Sequence, residues 1–156
     1  MTHKPTNPWA RRTGLLAPPT TTYSRDFTEV VSERLYQSRL PTTELLKELR
    51  PDHIVDCRWF DDDGVKLPAD MNRLSSTADA VTTLVRSGHR ILIHCLGGRN
   101  RSSLVVCLVL MRLNPDWTGS QAVAVLEAKR PGILTNPVFR KYLTSLNNIT
   151  DISVQP

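Results

Sequence analysis

The fold is decided by residues 91–113, which read ILIHCLGGRNRSSLVVCLVLMRL. Three consecutive apolar residues, Ile91–Ile93, are typical of a short strand that is buried on both faces. After a loop with two adjacent glycines, an apolar run from near Arg101 to Leu113 predicts a helix, and Pro115 lies just beyond its end. A buried strand, a tight loop and a buried helix therefore follow one another directly.

The loop between this strand and this helix has the composition of an anion-binding site. Gly97 and Gly98 allow the backbone to take positive φ angles and to approach a ligand closely. Successive amide N–H groups of such a loop can point at one anion, and the positive end of the helix dipole adds to their field. The same field stabilises a thiolate, so we expect the pKa of Cys95 to lie below the value of about 8.5 of a free cysteine. The planar guanidinium of Arg101 can bind two phosphate oxygens.

The sequence on either side alternates strands with helices. Strands are predicted at 27–31, 34–37, 54–59 and 91–93, and helices at 44–49, 74–85, 101–113, from a Thr118–Gln121 capping box to 129, and from an Asn136-Pro137 start to about 146. This order predicts an α/β fold with a mostly parallel central sheet flanked by helices.

Length and composition favour one globular domain with a charged extension. The chain has 156 residues, 40% apolar and 22% charged. Residues 1–25 contain four basic and no acidic side chains, so they hold four of the five net positive charges, together with four of the eleven prolines. The predicted organisation is a flexible basic arm, a folded domain and a short tail, at 1–25, 26–150 and 151–156.

The remaining global features exclude several classes of protein. The longest apolar run, Leu104–Met111, is far shorter than the ~20 residues of a membrane span. Three cysteines do not make a disulfide framework and the sequence shows no signal peptide, so we expect a reducing, cytoplasmic setting. We also expect a monomer. Because most of the net charge lies in the arm, we expect no nucleic-acid partner. His53, Cys57, His94 and Cys95 lack the paired spacing of metal ligands, so no metal or other cofactor is expected.

The motif His94-Cys95-x2-Gly98-x2-Arg101-Ser102 resembles the His-Cys-x5-Arg-Ser/Thr signature of the cysteine-dependent protein tyrosine phosphatase superfamily. It is most similar to the small dual-specificity branch, with a loop of the kinase-associated phosphatase type. Weaker similarity extends over 34–139, and Asn136-Pro137-x-Phe139 matches a motif common in that branch. The resemblance implies a dual-specificity phosphatase fold and hydrolysis of phosphate monoesters through a phosphocysteine.

The resemblance also implies roles for individual residues. Cys95 would be the nucleophile, and Ser102 would donate a hydrogen bond to its sulfur; His94 would shape the loop. Phosphate would be bound by the loop and the arginine that follows, namely Leu96, Gly97, Gly98, Arg99, Asn100 and Arg101. Each role has a structural alternative: His94 as a core residue, Ser102 as part of a helix cap, and Arg99 as an exposed loop residue instead of a contact for a second acidic group.

A proton donor is needed for the leaving oxygen, and a carboxyl group on a nearby loop suits this role. The resemblance implies an aspartate about thirty residues before the nucleophile, often followed by Gly and Pro. Asp63, which is 32 residues before Cys95 and precedes Gly64, fits best. Asp61, Asp62 and Asp70 are the competing candidates, and the acidic run could instead be a solvated turn. The sequence departs from the family pattern in its two extra aspartates and longer Gly-to-Pro spacing.

The expected substrate is a phosphorylated protein carrying phosphotyrosine, and also phosphoserine or phosphothreonine if the pocket is shallow. A phosphoinositide or an RNA 5′-phosphate is a second candidate, although Leu96 stands where the inositide phosphatases often place Lys. A phosphate-binding pseudophosphatase and a rhodanese-like or arsenate-reductase-like enzyme complete the set of candidate functions. Cys57 could form a disulfide with an oxidised Cys95 or could be a core residue, and Cys107 is expected in the core.

Overall fold

The computed structural model describes residues 27–150, which form a four-stranded sheet with helices on both faces. The strands are β1 (Phe27–Val31), β2 (Leu35–Ser38), β3 (His53–Asp56) and β4 (Ile91–His94). Their order in the sheet is β1-β2-β4-β3; the β1–β2 pair is antiparallel, and both neighbours of β4 pair with it in parallel. The predicted α/β fold with a mostly parallel sheet is confirmed. The predicted arm at 1–25 and tail at 151–156 lie outside the described residues.

Five helices connect and cover the strands: α1 (Thr43–Leu49), α2 (Met71–Arg86), α3 (Arg101–Leu113), α4 (Gly119–Lys129) and α5 (Pro137–Thr144). Their starts follow capping chemistry that the sequence already contains. The Thr118 hydroxyl accepts from the Gln121 amide and the Gln121 side chain accepts in return, which completes the predicted capping box of α4. Asn136 caps α5, as predicted.

Several element boundaries differ from the sequence prediction; helix α2, for example, begins at Met71, three residues before the predicted Leu74. Strand β3 ends at Asp56 instead of reaching Trp59. The amide of Cys57 still donates to His94 O, but the Arg58 amide turns back to donate to Asp56 Oδ1 at 3.0 Å, and Trp59 stacks against the Arg73 guanidinium. Helix α5 ends at Thr144, since the next hydroxyl, that of Ser145, donates to the Tyr142 carbonyl and closes the last turn.

Alternate residues of the central strand enter two separate cores, as the pleat of a strand requires. Ile91 and Ile93 belong to the larger core, which α2 to α5 complete. Leu92 belongs to a smaller core on the opposite face, which α1 covers. Helix α3 is buried along nearly its whole length, and each of its fully buried Leu and Val side chains contributes about 1.5–3 kcal/mol relative to an exposed position. The end of β4 and the start of α3 are therefore fixed from all sides.

None of the helices described within residues 27–150 is long and apolar enough to cross a membrane.

Gly119 is required by a close contact between the first turn of α4 and the end of α5. A Cβ atom at this position would lie 1.7 Å from Leu143 O. We predict that Gly119→Ala destabilises the domain by about 1–3 kcal/mol, the usual cost of overpacking, measured by urea unfolding. Ser120→Ala, at the next and exposed position of the same helix, is the matched control and should change stability by less than about 0.5 kcal/mol. Equal stability of the two variants would contradict the contact.

Candidate active site

Cys95 lies one residue beyond the end of β4, in a loop that leads into α3; we call residues 95–100 the Cys95 loop. The Cys95 side chain is buried, with the residue only 3% exposed. The amide of Gly98 donates to its sulfur at 3.3 Å, and the Ser102 hydroxyl lies 3.3 Å from the same sulfur. Two groups from different parts of the turn therefore converge on one sulfur atom.

These contacts decide the charge of Cys95. Burial alone would raise the pKa of the thiol, since a low dielectric disfavours the anion. Hydrogen bonds from the Ser102 side chain and from the amides of Ser102, Gly98 and Arg99 outweigh burial and bring the pKa below its ordinary value. The pKa is thus lowered, as the sequence predicts, and uncharged donors are the cause.

Arg101 is the first residue of α3, and its guanidinium has an N–H group, that of Nε, still available to bind a ligand. Its Nη1 donates to Phe60 O at 3.1 Å, which fixes one edge of the guanidinium, while its buried Nε has no partner among the described residues. Asn100, the N-cap residue of α3, makes no side-chain capping bond, so its side chain does not occupy the amides of the first turn. A buried donor without a partner costs free energy. An anion at the loop would satisfy both the guanidinium and these amides.

Gln37 supports the Cys95 loop and the first turn of α3 through hydrogen bonds, a role that the sequence pattern did not predict. It is fully buried in β2, and its Nε2 donates to Ser102 Oγ at 2.9 Å, Ser103 Oγ at 2.8 Å and, more weakly, to Gly98 O at 3.4 Å. The one signal in the sequence is a polar amide within a strand that also holds apolar residues.

Gly98 must be glycine for two reasons. Its φ is +69°, and a Cβ atom would lie 2.5 Å from Arg130 Nη2 and 2.6 Å from the Arg39 backbone nitrogen. The carbonyl of Gly98 accepts from Arg130 Nε at 2.8 Å, so Arg130 supports the loop from outside. Arg130 is the second supporting residue that was not predicted from the sequence.

Of the other predicted site residues, His94 is buried in the protein interior, and Leu96, Gly97 and Arg99 lie on the exposed edge of the Cys95 loop, which we call its rim. His94 is buried, and its Nδ1 donates to Cys95 O at 3.2 Å, a contact suited to shaping the loop. Leu96 is 59% exposed and lies at the rim, as does Gly97. Arg99 is exposed, but its Nη1 donates to Gly132 O at 3.1 Å.

Asp62 connects the acidic turn, residues 61–64, to the Cys95 loop through hydrogen bonds. Asn100 Nδ2 donates to Asp62 Oδ2 at 3.1 Å, and Asn136 Nδ2 donates to Asp62 Oδ1 at 2.7 Å. The backbone N–H of Asn136 also donates to Asn100 Oδ1 at 3.0 Å. We call these three residues, Asp62, Asn100 and Asn136, the Asp62 clamp. It joins the loop before α3, the acidic turn and the N-terminus of α5.

The other candidate acids have different surroundings. Asp63 is exposed, and the Val65 amide donates to its Oδ1 at 2.8 Å, which is the main reason that its pKa is lowered. Asp70 caps α2 by accepting from the Arg73 amide. Asp61 is exposed and makes no side-chain hydrogen bond within residues 27–150.

All three cysteines are free thiols. Cys107 is fully buried in α3, and burial raises its pKa, which confirms the predicted core position. Cys57 is also buried, and its pKa is raised by burial and by the charge of Cys95. Asp56 pairs with His94 across the sheet, so Cys57 and Cys95 leave neighbouring strands at the same level. The disulfide between them stays a prediction.

The structure brings two of the predicted site residues, Gly98 and Ser102, to the sulfur of Cys95. Arg101 begins the helix into which the loop leads, and Asp62 reaches the same loop through Asn100. Asp70 does not join them, because it is committed to a helix cap. No three His, Cys, Asp or Glu side chains within 27–150 are grouped so that they could hold a metal ion.

Comparison with known proteins identifies a family and a shared fold. A family model described as dual specificity phosphatase, catalytic domain, matches residues 37–149, more than half of the chain. A mouse protein described as a dual specificity phosphatase, crystallised with zinc tungstate, has a TM-score of 0.67 at 22% identity over 85% of this chain and 92% of that one. Human DUSP28 gives 0.66 at 21% identity over 84% and 97%. PTPMT1 in complex with PI(5)P gives 0.63 at 12% identity over 82% and 97%.

Ser102 should control the ionisation of Cys95. We predict that iodoacetamide alkylates Cys95 in the wild type with a pH midpoint below the free value of about 8.5, and that Ser102→Ala moves the midpoint to higher pH, because it removes a bond that stabilises the thiolate.

Ser103→Ala is the matched control for this measurement. It removes the neighbouring hydroxyl, which also accepts from Gln37 but makes no bond to the sulfur. Its midpoint should stay at the wild-type pH. A shift of equal size in both variants would show that Ser102 acts only through loop packing.

Proposed function

Because the chain belongs to the dual specificity phosphatase catalytic domain family and is a phosphatase, we propose that it hydrolyses phosphate monoesters of proteins through a phosphocysteine on Cys95. One observation carries the proposal: the Cys95 sulfur accepts from the Gly98 amide and lies beside the Ser102 hydroxyl, in a loop that leads into Arg101, whose buried Nε has no partner within residues 27–150. One short segment thus contains a nucleophile in Cys95, backbone amides that can bind an anion, and in Arg101 a guanidinium that can bind two phosphate oxygens.

The first step transfers the phosphoryl group to sulfur. The Cys95 thiolate attacks phosphorus in line, an S–P bond forms, and the P–O bond to the alcohol or phenol breaks. The leaving oxygen takes a proton from a carboxyl group. Loop amides and the Arg101 guanidinium bind the equatorial oxygens, whose charge they stabilise without reorganisation.

The second step returns the enzyme to its starting state. A water molecule gives a proton to the carboxylate left by the first step and attacks phosphorus. The S–P bond breaks, inorganic phosphate leaves and the electron pair returns to the Cys95 sulfur. The Ser102 hydroxyl, 3.3 Å from that sulfur, stabilises the departing thiolate. The proposal requires no metal or organic cofactor.

Asp63 is the proposed proton donor, chosen from its spacing to Cys95. Its pKa is lowered by the turn amides, so it needs a bound substrate to hold its proton. A phosphate dianion nearby favours the neutral carboxyl group and raises that pKa. The Asp62 clamp supports the choice, because it fixes the residue next to Asp63 against the loop that carries Cys95.

The proposed substrates are phosphoproteins bearing phosphotyrosine, and phosphoserine or phosphothreonine where the pocket admits shorter side chains. The rim residue at the first loop position is Leu96, which is exposed and uncharged, and this favours a peptide over an inositol phosphate. We place the enzyme in the cytoplasm as a monomer; the three free thiols fit a reducing compartment.

The proposal predicts the effects of two substitutions on the hydrolysis of p-nitrophenyl phosphate. Cys95→Ser should abolish turnover, because the hydroxyl is not ionised by this loop. Arg101→Ala should lower kcat/KM by about 10²–10³, the usual loss for one donor to a developing charge. Arg101→Lys should restore little, since an ammonium cannot bind two oxygens in a plane. Turnover by Cys95→Ser at the wild-type rate would refute the mechanism, and an inactive wild type that binds phosphate would indicate a pseudophosphatase.

The proton donor can be identified from its dependence on the leaving group. We expect Asp63→Asn to slow an alkyl phosphate, whose leaving group needs a proton, far more than p-nitrophenyl phosphate. The same comparison for Asp61→Asn, Asp62→Asn and Asp70→Asn gives matched controls that each remove one carboxylate. If one of these, and not Asp63→Asn, shows the selective loss, Asp63 is not the acid.

A further inference from the structure

A groove of about 980 Å³ lies along the outer side of the Cys95 loop. It shares Leu96 to Arg99 with that loop, but neither Cys95 nor Arg101 lines it. Its size is that of a cleft that holds a ligand much larger than one phosphate group. We call it the basic groove.

The charge of the groove is of one sign. Among residues 27–150, four cations and no Asp or Glu line the groove: the four are Arg39, Arg99, Lys129 and Arg130. A cleft lined by like charges focuses a positive potential and raises the local concentration of anionic ligands. Residues 26–156 carry 16 basic and 15 acidic side chains, so the groove is a local concentration of charge and not a consequence of the total.

Two of the four cations have a structural task, and two do not. Arg130 donates to Gly98 O and to Thr28 Oγ1, and Arg99 donates to Gly132 O, so both are oriented by the walls of the groove. Arg39 and Lys129 are exposed, and their side chains make no hydrogen bond or ion pair within residues 27–150. Their charged groups are therefore available to a ligand.

Part of the groove lining is apolar. Leu40 and Leu96 are large apolar side chains that are 39% and 59% exposed, and Pro41 adds a third apolar residue. The Leu40 amide donates to Leu96 O, which joins the two leucines into one wall. An apolar wall beside free cations suits a peptide segment that has both apolar and anionic side chains.

We propose that the basic groove binds the segment of the phosphoprotein next to the residue being dephosphorylated, and that it selects segments with a second anionic side chain. The second group is a carboxylate or a second phosphate, and Arg39 and Lys129 are the residues that recognise it. This inference rests on the proposed function, because the scissile phosphate must occupy the loop of Cys95 for its neighbour to reach the groove.

The experiment compares three phosphotyrosine peptides of one sequence: neutral flanks, glutamate-containing flanks, and a second phosphorylated residue. Exposed charge pairs each raise affinity by a few fold at most, so two of them predict a preference in kcat/KM of about tenfold for the anionic peptides. The double variant Arg39→Ala/Lys129→Ala should reduce this preference to less than about twofold, and p-nitrophenyl phosphate, too small to reach the groove, should be hydrolysed as by the wild type.

Lys47→Ala/Lys141→Ala is the matched control. Both lysines are exposed and neither lines the groove, so this variant loses the same charge elsewhere and should retain the preference. Raising the salt concentration should weaken the preference in the wild type, because exposed charges are screened. Equal kcat/KM for neutral and anionic peptides in the wild type, or an undiminished preference in the Arg39/Lys129 variant, overturns the proposal.

Two further experiments test whether the ligand of the groove is a peptide or a lipid, and whether the preference arises in binding or in catalysis. Vesicles that contain a phosphoinositide test whether the groove binds a lipid headgroup. If the lipid is turned over faster than every peptide, and this advantage is lost in the Arg39/Lys129 variant, the groove binds lipid and the peptide proposal is overturned.

Binding of the same peptides to Cys95→Ser, measured by fluorescence anisotropy, tests the groove without catalysis. An inactive wild type would refute the proposed function alone, while the anisotropy preference would still decide the groove.

Discussion

A thiolate inside a protein must be stabilised against the cost of its burial, and this constraint governs the structure around Cys95. The stabilising groups are the Ser102 hydroxyl and amides of the same turn, so hydrogen bonds and not charged side chains are the main cause of the lowered pKa. Donors of this kind act only when the backbone is fixed, because an amide that rotates away contributes nothing. The fold supplies that rigidity through a central strand and a helix that are both almost entirely buried.

Rigidity also extends outward from the loop through polar contacts. Gln37 reaches from β2 to two serines of α3, and Arg130 reaches from the end of α4 to Gly98 O. The Asp62 clamp adds the acidic turn to the same unit. The residues proposed for nucleophilic attack and phosphate binding therefore lie in one network of polar contacts, and the proposed proton donor, Asp63, adjoins that network through its neighbour Asp62.

Sequence patterns predicted the parts of this arrangement that are local along the chain. The strand, loop and helix of residues 91–113, the capping box at Thr118 and the Asn136 cap follow from periodicity and short-range chemistry. The supporting roles of Gln37 and Arg130 were not predicted, since they depend on which strands pair and on where α4 ends. Asn136 was predicted only as a cap, because its contact with Asp62 is created by tertiary packing. The predicted end of β3 was also wrong, since the Arg58 amide donates to Asp56 Oδ1 where the strand ends and Trp59 stacks on Arg73 outside the sheet.

Rapid quench of the enzyme during turnover of a phosphorus-labelled substrate tests the central claim most directly. The claim is that the loop holds Cys95 as the nucleophile that carries the phosphoryl group. The predicted result is one label per active enzyme that iodine releases, as expected for a phosphorus–sulfur bond, located by mass spectrometry on the peptide that contains Cys95 and absent from Cys95→Ser. Turnover without label on Cys95, or a label on another residue, would contradict the account.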